Sequence, residues 1–184
     1  MGSLNVLTFA IDEADIALYG TGAAVSEWTN IPIVSESSLE LASTEAPVTD
    51  GEGNISYIWY HSQRCTAVLK AKQLAFRILE LISGNGISSI GTAERLVFGT
   101  PEELTPPPVR LKLRCHARDM TNEANSHFEV VLYKCSMRYT PPAFAETTAS
   151  ALTFNVTALK ATKNDSGATL PGKGAFGHMQ GMVA

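Results

Sequence analysis

Residues 109–118, VRLKLRCHAR, alternate without a break. Val109, Leu111, Leu113, Cys115 and Ala117 fall on one side, and Arg110, Lys112, Arg114, His116 and Arg118 on the other. A period of two belongs to a β-strand with one face buried and one turned outward. Strands of a similar kind flank it. Downstream, HFEVVLYKCSMRY (127–139) is apolar on both faces in its first half, and ASALTFNVTALKA (149–161) alternates through Leu152, Phe154, Val156 and Ala158. Upstream, NVLTFAI (5–11), ISYIWY (55–60) and RCTAVLKA (64–71) are rich in β-branched and aromatic residues. Around 33–42, Val34, Leu39 and Leu41 suggest another strand, with Glu36 and Glu40 on an exposed face. Residues 12–30 are acidic and interrupted by glycine, and show no legible period.

One helix is expected, KQLAFRILELIS at 72–83. Ala75, Ile78, Leu79 and Ile82 share one apolar stripe, and Ser83-Gly84-Asn85-Gly86 can form a left-handed cap. PEELTPPP (101–108) is a stiff extended connector. STEAPVTDGEGN (43–54), with a proline, two glycines and three acids, predicts a long projecting hairpin loop. The Gly-rich stretch 164–184 reads as an arm without a core of its own. The fold class is therefore mainly β: a β-sandwich or barrel of seven or eight strands, with one flanking α-helix, in a single domain over 1–184.

Charge is distributed unevenly. Residues 1–63 hold nine carboxylates (Asp12, Glu13, Asp15, Glu27, Glu36, Glu40, Glu45, Asp50, Glu52) and no Lys or Arg. The remainder holds all fourteen cations against nine acids, so −9 and +5 make the net −4. That negative total and a charged fraction of 17% fit a sequence-reading nucleic-acid binder poorly. The basic face of 109–118 can be a solvated strand face, a charged contact surface that seeks an acidic neighbour, or a phosphate-binding face. On the contact reading, reversing Arg110, Lys112 and Arg114 to Glu weakens assembly more than it lowers monomer stability.

Catalysis finds no footing. No nucleophile elbow is present, and His61, His116, His127 and His178 lack diagnostic partners. Metal-ligand spacings are absent, and Gly20-Thr-Gly-Ala-Ala reads as a turn rather than a phosphate loop, so no catalytic, cofactor or metal residues are expected. Cys65, Cys115 and Cys135 read as reduced thiols buried in strands, with a cross-link as the alternative. No apolar run is long enough to span a membrane, and Met1-Gly-Ser-Leu lacks the basic start of a secretory signal.

Three stretches together carry a resemblance: PVTDGEGNISY, the passage CTAVLKAKQLAFRILELISGN, and the closing pattern YKCSMRYTPPAFAETTASALTFNVTALKATKND. Their order from residue 31 onward resembles the tail tube proteins of long-tailed bacteriophages. The resemblance implies a β-sandwich with one helix that forms hexameric rings stacked into a tube. It implies residues 43–54 as an inter-ring loop, 1–8 and 164–184 as terminal arms, and helix 72–83 packed on the sandwich. Strand 109–118 would then lie on the outer or inter-subunit surface rather than in the lumen. Glu45, Asp50, Glu52, Arg110, Lys112, Arg114 and Arg118 become candidate interface residues. The implied partners are further copies of the chain, a tape measure protein inside, a sheath outside in contractile tails, and viral DNA passing through an acidic lumen without sequence-specific binding. The implied location is the virion, after assembly in the host cytoplasm and without a membrane. Two other functions stay open. A tail terminator, connector or decoration protein would form a ring that never elongates, and a ligand-binding β-barrel or small enzyme would stay monomeric.

Overall fold

The computed structural model describes residues 3–20, 27–33, 36–50, 55–72, 76–90, 93–96, 106–116, 127–140, 151–172 and 174–181. In chain order these form β1 (Ser3–Leu18), β2 (Thr29–Ile31), β3 (Ser38–Thr49), β4 (Ile55–Ala71), α1 (Phe76–Ser83), β5 (Ile87–Ile90), β6 (Ala93–Leu96), β7 (Val109–His116), β8 (His127–Thr140), β9 (Leu152–Ala158) and β10 (Gly177–Gly181). Six of them close an antiparallel barrel in the order β7–β1–β3–β4–β9–β8 and back to β7. Outside this ring, β2 pairs with β1, β10 pairs with β8, and β5–β6 form a separate hairpin. The expected mainly-β barrel with one helix is therefore the observed architecture.

Alternation builds the core as the sequence dictates. Val109, Leu111, Leu113 and Cys115 of β7 are buried, as are Cys65, Ala67, Leu69 and Ala71 of β4 and Leu152, Phe154, Val156 and Ala158 of β9. Two bulges shift the phase. In β1 the register slips between Ile11 and Glu13, so Asp12 and Glu13 both lie outside while Ile11, Ala14 and Ile16 point inward. In β8, Cys135 stands opposite Val109 but Leu132 opposite Leu111, so Val130 and Leu132 face the core before the slip, and Cys135 and Met137 after it.

The apolar outer face of β8 is covered. Val131 and Tyr133 are buried beneath Ala161, Leu170 and Ala175, with Tyr19 and Trp28 alongside, in a second, smaller core. This corrects the expectation of a coreless arm at 164–184. The segment folds back through bridges Ala161–Ala175 and Lys163–Thr169 and ends as β10 on β8.

Three other boundaries move. Residues 43–49 belong to β3 and pair with β4 up to Thr49–Ile55, so the projecting loop is narrower than 43–54 and its residues 51–54 lie outside the described residues. The first strand, expected at 5–11, already begins at Ser3, because Ser3–Ala10 pair with Ser38–Glu45. The helix begins at Phe76 rather than 72: Lys72 is not helical and donates its amide to Pro32 O, and 73–75 lie outside the described residues. Its expected stripe is observed at Ile78, Leu79 and Ile82, and Gly84, at φ +76°, caps it by donating N–H to Glu80 O.

Candidate assembly surface

The charged face of β7 carries the strongest local signal in the sequence. Arg110 is buried, 1% exposed, where it donates to the carbonyls of Gly20 (2.7 Å), Asp165 (3.2 Å) and Asn164 (3.5 Å). Its guanidinium also lies 5.4 Å from the centre of the Tyr19 ring, a cation–π contact that the ammonium of Lys134 shares at 5.3 Å. Arg110 therefore pins the end of β1 and the C-terminal segment to the barrel, and it is corrected from interface residue to internal fastener. Lys112 pairs with Asp15 at 3.2 Å and lies 5.1 Å from the centre of the Trp28 ring. Arg114 pairs with Glu13 at 3.4 Å. The acidic neighbour that these cations seek is β1 of the same chain. Arg118 and Glu52 lie outside the described residues, as do Ala117 and 51–54 around them. Glu45 sits in β3 opposite Ser3 on one side and Tyr60 on the other, and Asp50 is exposed just past the end of β3.

The pairing is general across the two charge halves. Glu40–Arg64 (3.4 Å) and Glu36–Lys70 join β3 and the residues before it to β4, so with the two β1–β7 pairs four ion pairs among the described residues link residues 1–63 to residues 64–184. The Lys70 ammonium, by hydrogen bond and charge, holds the Glu36 carboxyl below its ordinary value. Four of the nine carboxylates of residues 1–63 thus meet cations of residues 64–184 inside one molecule.

What the fold leaves open is backbone. β9 pairs with β4 only over Thr66–Ala71, so along Ile55–Cys65 that edge of β4 has no strand partner among the described residues. At about 3.3 Å per residue this edge is roughly 35 Å long. On the other side, β1 stops pairing β3 at Ser3–Glu45, so Ala46–Thr49 and the facing part of β4 run on as a two-stranded ribbon among the described residues. Pro47, with no N–H to give, stands in the part of β3 that only β4 accompanies. A ribbon of two strands is marginal alone in water, and an open edge is a template for another chain. Sequence reading missed this edge because it divided β4 into two pieces. The signal was present in the sheer length of ISYIWYHSQRCTAVLKA compared with ASALTFNVTALKA.

Above the last β4–β9 pair the barrel wall parts. Between β4 and β10 lies a cleft of about 360 Å³ whose lining includes Leu41, Cys65, Val130, Leu132, Phe176 and Met179, with Lys160 and His178 among its polar members. His178 Nδ1 is 3.0 Å from the Tyr133 hydroxyl, and Tyr133 itself has its pKa raised by burial and by the nearby Asp165.

The three cysteines are free and buried. Burial pushes the thiol of Cys65 up to about 11; burial, aided by the Asp12 charge, pushes that of Cys115 up to about 12; burial also raises Cys135. Such thiols are poor nucleophiles because the thiolate is suppressed. Among the described residues no cluster of three or more His, Cys, Asp or Glu is arranged to hold a metal ion, and no helix is long and apolar enough to cross a membrane. No protein-family model matches the chain, and comparison with curated proteins finds no relative.

Proposed function

We propose that this chain is a structural subunit that polymerises, the tail tube protein of a long-tailed bacteriophage, forming stacked rings that conduct DNA and catalysing no reaction. The observation that carries the proposal is the β4 edge at Ile55–Cys65, without a strand partner among the described residues, extended by the two-stranded ribbon beyond Glu45. A monomer gains nothing from a long unpaired edge, whereas a ring of identical copies satisfies it by strand pairing. Asp50, exposed just past the end of β3, gives the ribbon an acidic end that suits a segment reaching the next ring without holding DNA.

The test is direct. Concentrated purified protein, examined by negative-stain microscopy and light scattering, forms rings or tubes. A particle that remains a monomer at every concentration and beside its natural initiator would overturn the proposal. A ring that never elongates would move the chain to a terminator or connector role. A second reading, a ligand-binding barrel, is favoured by the cleft between β4 and β10. Its mark is a melting temperature that rises with ligand in a persistently monomeric protein.

A further inference from the structure

We propose that the cleft between β4 and β10 binds a small amphipathic carboxylate, its apolar tail on Leu41, Val130, Leu132 and Phe176 and its anionic head at Lys160. The proposal deepens the ligand-holding reading of this cleft and rests on it; assembly of the chain neither requires nor forbids it.

The cleft exists because strand pairing runs out there. β9 accompanies β4 only over Thr66–Ala71, and it ends at Ala158, opposite Cys135 of β8. Further along, β8 is paired by β10 instead, at Phe128–Leu132. Among the described residues β10 and β4 do not pair with each other, so the wall is open between them. Val130 and Leu132, which face the core, thereby line the cleft, with Leu41 and Phe176 as partly buried neighbours packed against that core. Two further lining positions cannot carry a side chain that would close the gap. A Cβ at Gly174 would stand 2.3 Å from Ala161 O, and one at Gly177 would stand 2.0 Å from Val131 O. The wall on the β10 side is therefore thin by construction.

Size and charge select the ligand class. A volume of about 360 Å³ falls within the range of small-molecule sites. At about 30 Å³ for each water-sized unit of liquid, it holds roughly twelve non-hydrogen atoms, which an unbranched carboxylate of about ten carbons matches. The described lining contains no carboxylate, and its ammonium group is that of Lys160. Lys160 is exposed, and its ammonium lies 5.8 Å from the centre of the Phe176 ring, where the apolar lining meets water. Lys70 and Lys112 are paired with carboxylates, whereas none pairs with Lys160 among the described residues. His178 supplies a second polar group. Its Nδ1 is 3.0 Å from the hydroxyl of Tyr133, whose pKa burial and the Asp165 charge raise, so that the hydroxyl keeps its proton. With that hydroxyl donating to Nδ1, the ring's own proton sits on Nε2, the nitrogen left for a ligand. Two carboxylates of neighbouring elements are engaged: Glu129 accepts from Gln180, and Asp165 lies 4.0 Å from His178 Nδ1. An anion with a short apolar tail thus meets a cation at the rim and a dry wall behind it, while a cation of the same length meets Lys160 and is repelled.

The experiment uses the full chain labelled with methyl-¹³C methionine. Met179 lines the cleft and is 48% exposed, whereas Met137 is buried in the core and does not line it, so the two methyls report site and background. Decanoate, kept below its micelle concentration, is expected to shift the Met179 methyl signal saturably and to leave that of Met137 in place. Met179→Leu identifies the signal. Decanol and decylamine are expected to bind about three- to tenfold more weakly than decanoate. Lys160→Met, at an exposed position, should weaken decanoate by a similar factor with an unchanged melting temperature, and Lys160→Arg should retain the affinity. Decanol or decylamine binding as tightly as decanoate would overturn the proposal and leave the cleft as a site for another ligand. Undiminished decanoate binding by Lys160→Met would overturn it in the same way. A Met137 shift equal to that of Met179 would mark a general surfactant effect and count against it too. No Met179 shift with any of the three probes would overturn the proposal together with the ligand-holding reading.

Discussion

Replacing Arg110 with methionine separates an internal fastener from a surface charge. The guanidinium is 1% exposed and serves three carbonyls, those of Gly20, Asn164 and Asp165. Methionine keeps most of the apolar stem, so the loss is chiefly that of the polar contacts. Each acceptor left without its donor costs about 1–3 kcal/mol when buried. Asn164 and Asp165 are only half-buried and Gly20 is exposed, so water can serve these carbonyls in part. The summed cost is therefore about 3–4 kcal/mol, or a melting temperature lowered by roughly 6–16 °C at about 2–4 °C per kcal/mol for a chain of this size. Lys112→Met and Arg114→Met remove partly exposed ion pairs and cost about 0–1 kcal/mol each. Thermal and urea unfolding followed by circular dichroism compare the three variants, with an unchanged urea slope as the check that the unfolded state is the same. If Arg110→Met melts within the same few degrees as the other two, the fastener argument is wrong and the residue is closer to solvent than its contacts imply. The same reasoning changes the expectation for the triple reversal to Glu, which should unfold the monomer before assembly can be assayed.

The buried thiols make stability fall in alkali. Their folded values lie above the ordinary 9.0, so their contribution is complete below about pH 9 and is lost as pH rises through about 11 for Cys65 and about 12 for Cys115. Thermal melts from pH 8 to pH 11 should show this decline, and a thiol reagent at pH 8 should label no cysteine in native protein and three in denaturant. Joining Glu45 directly to Tyr60 by a short turn should leave the melting temperature within a few degrees yet abolish tubes, as judged by microscopy. Raising salt from 0.05 to about 1 M should leave assembly on the proposed strand edge intact or promote it, because Glu13, Asp15, Glu36 and Glu40 are already paired within the chain; dissolution of tubes at high salt, read by light scattering, would contradict this.

Much of the fold was legible where one physical rule acted alone. β7 and β9 obey a strict period of two, and α1 declares itself by Ile78, Leu79 and Ile82 with Gly84 behind them. Legibility failed where a local pattern was modified by distant structure. The bulge after Ile11 puts two carboxylates in succession on the outer face, which erases the alternation that would have revealed the second half of β1. Pro47 resembles a turn residue until one sees that it sits where β3 has lost its second neighbour. The C-terminal segment is Gly-rich and weakly apolar, so its docking was hidden in its own composition. The clue lay elsewhere, in the two-faced apolarity of Val130–Tyr133, since a strand with two dry faces needs two covers. For the candidate site, residue types pointed to a charged contact, and Lys112 and Arg114 do make one. Which acids they would meet depended on strand order, which sequence spacing alone does not contain.

Strand order also explains why the charges are segregated along the chain. In the sequence β7–β1–β3–β4 the two acidic strands lie together, flanked on either side by a basic one. Asp15 stands directly opposite Lys112 and Glu13 opposite Arg114, so the outer face of β1 matches β7 at two successive outward positions. A slip of one residue would turn these carboxylates toward Leu111 and Leu113 and drive Ile16 outward, at the cost of both the ion pairs and the core. Exposed pairs of this kind add little to net stability, yet they discriminate against wrong neighbours, since like charges placed opposite one another repel. The division of charge near residue 63 is thus a pairing rule for strands of one molecule. On the proposed assembly, contacts between copies would draw on what this pairing leaves unused among the described residues, and along Ile55–Cys65 that is a row of backbone donors and acceptors.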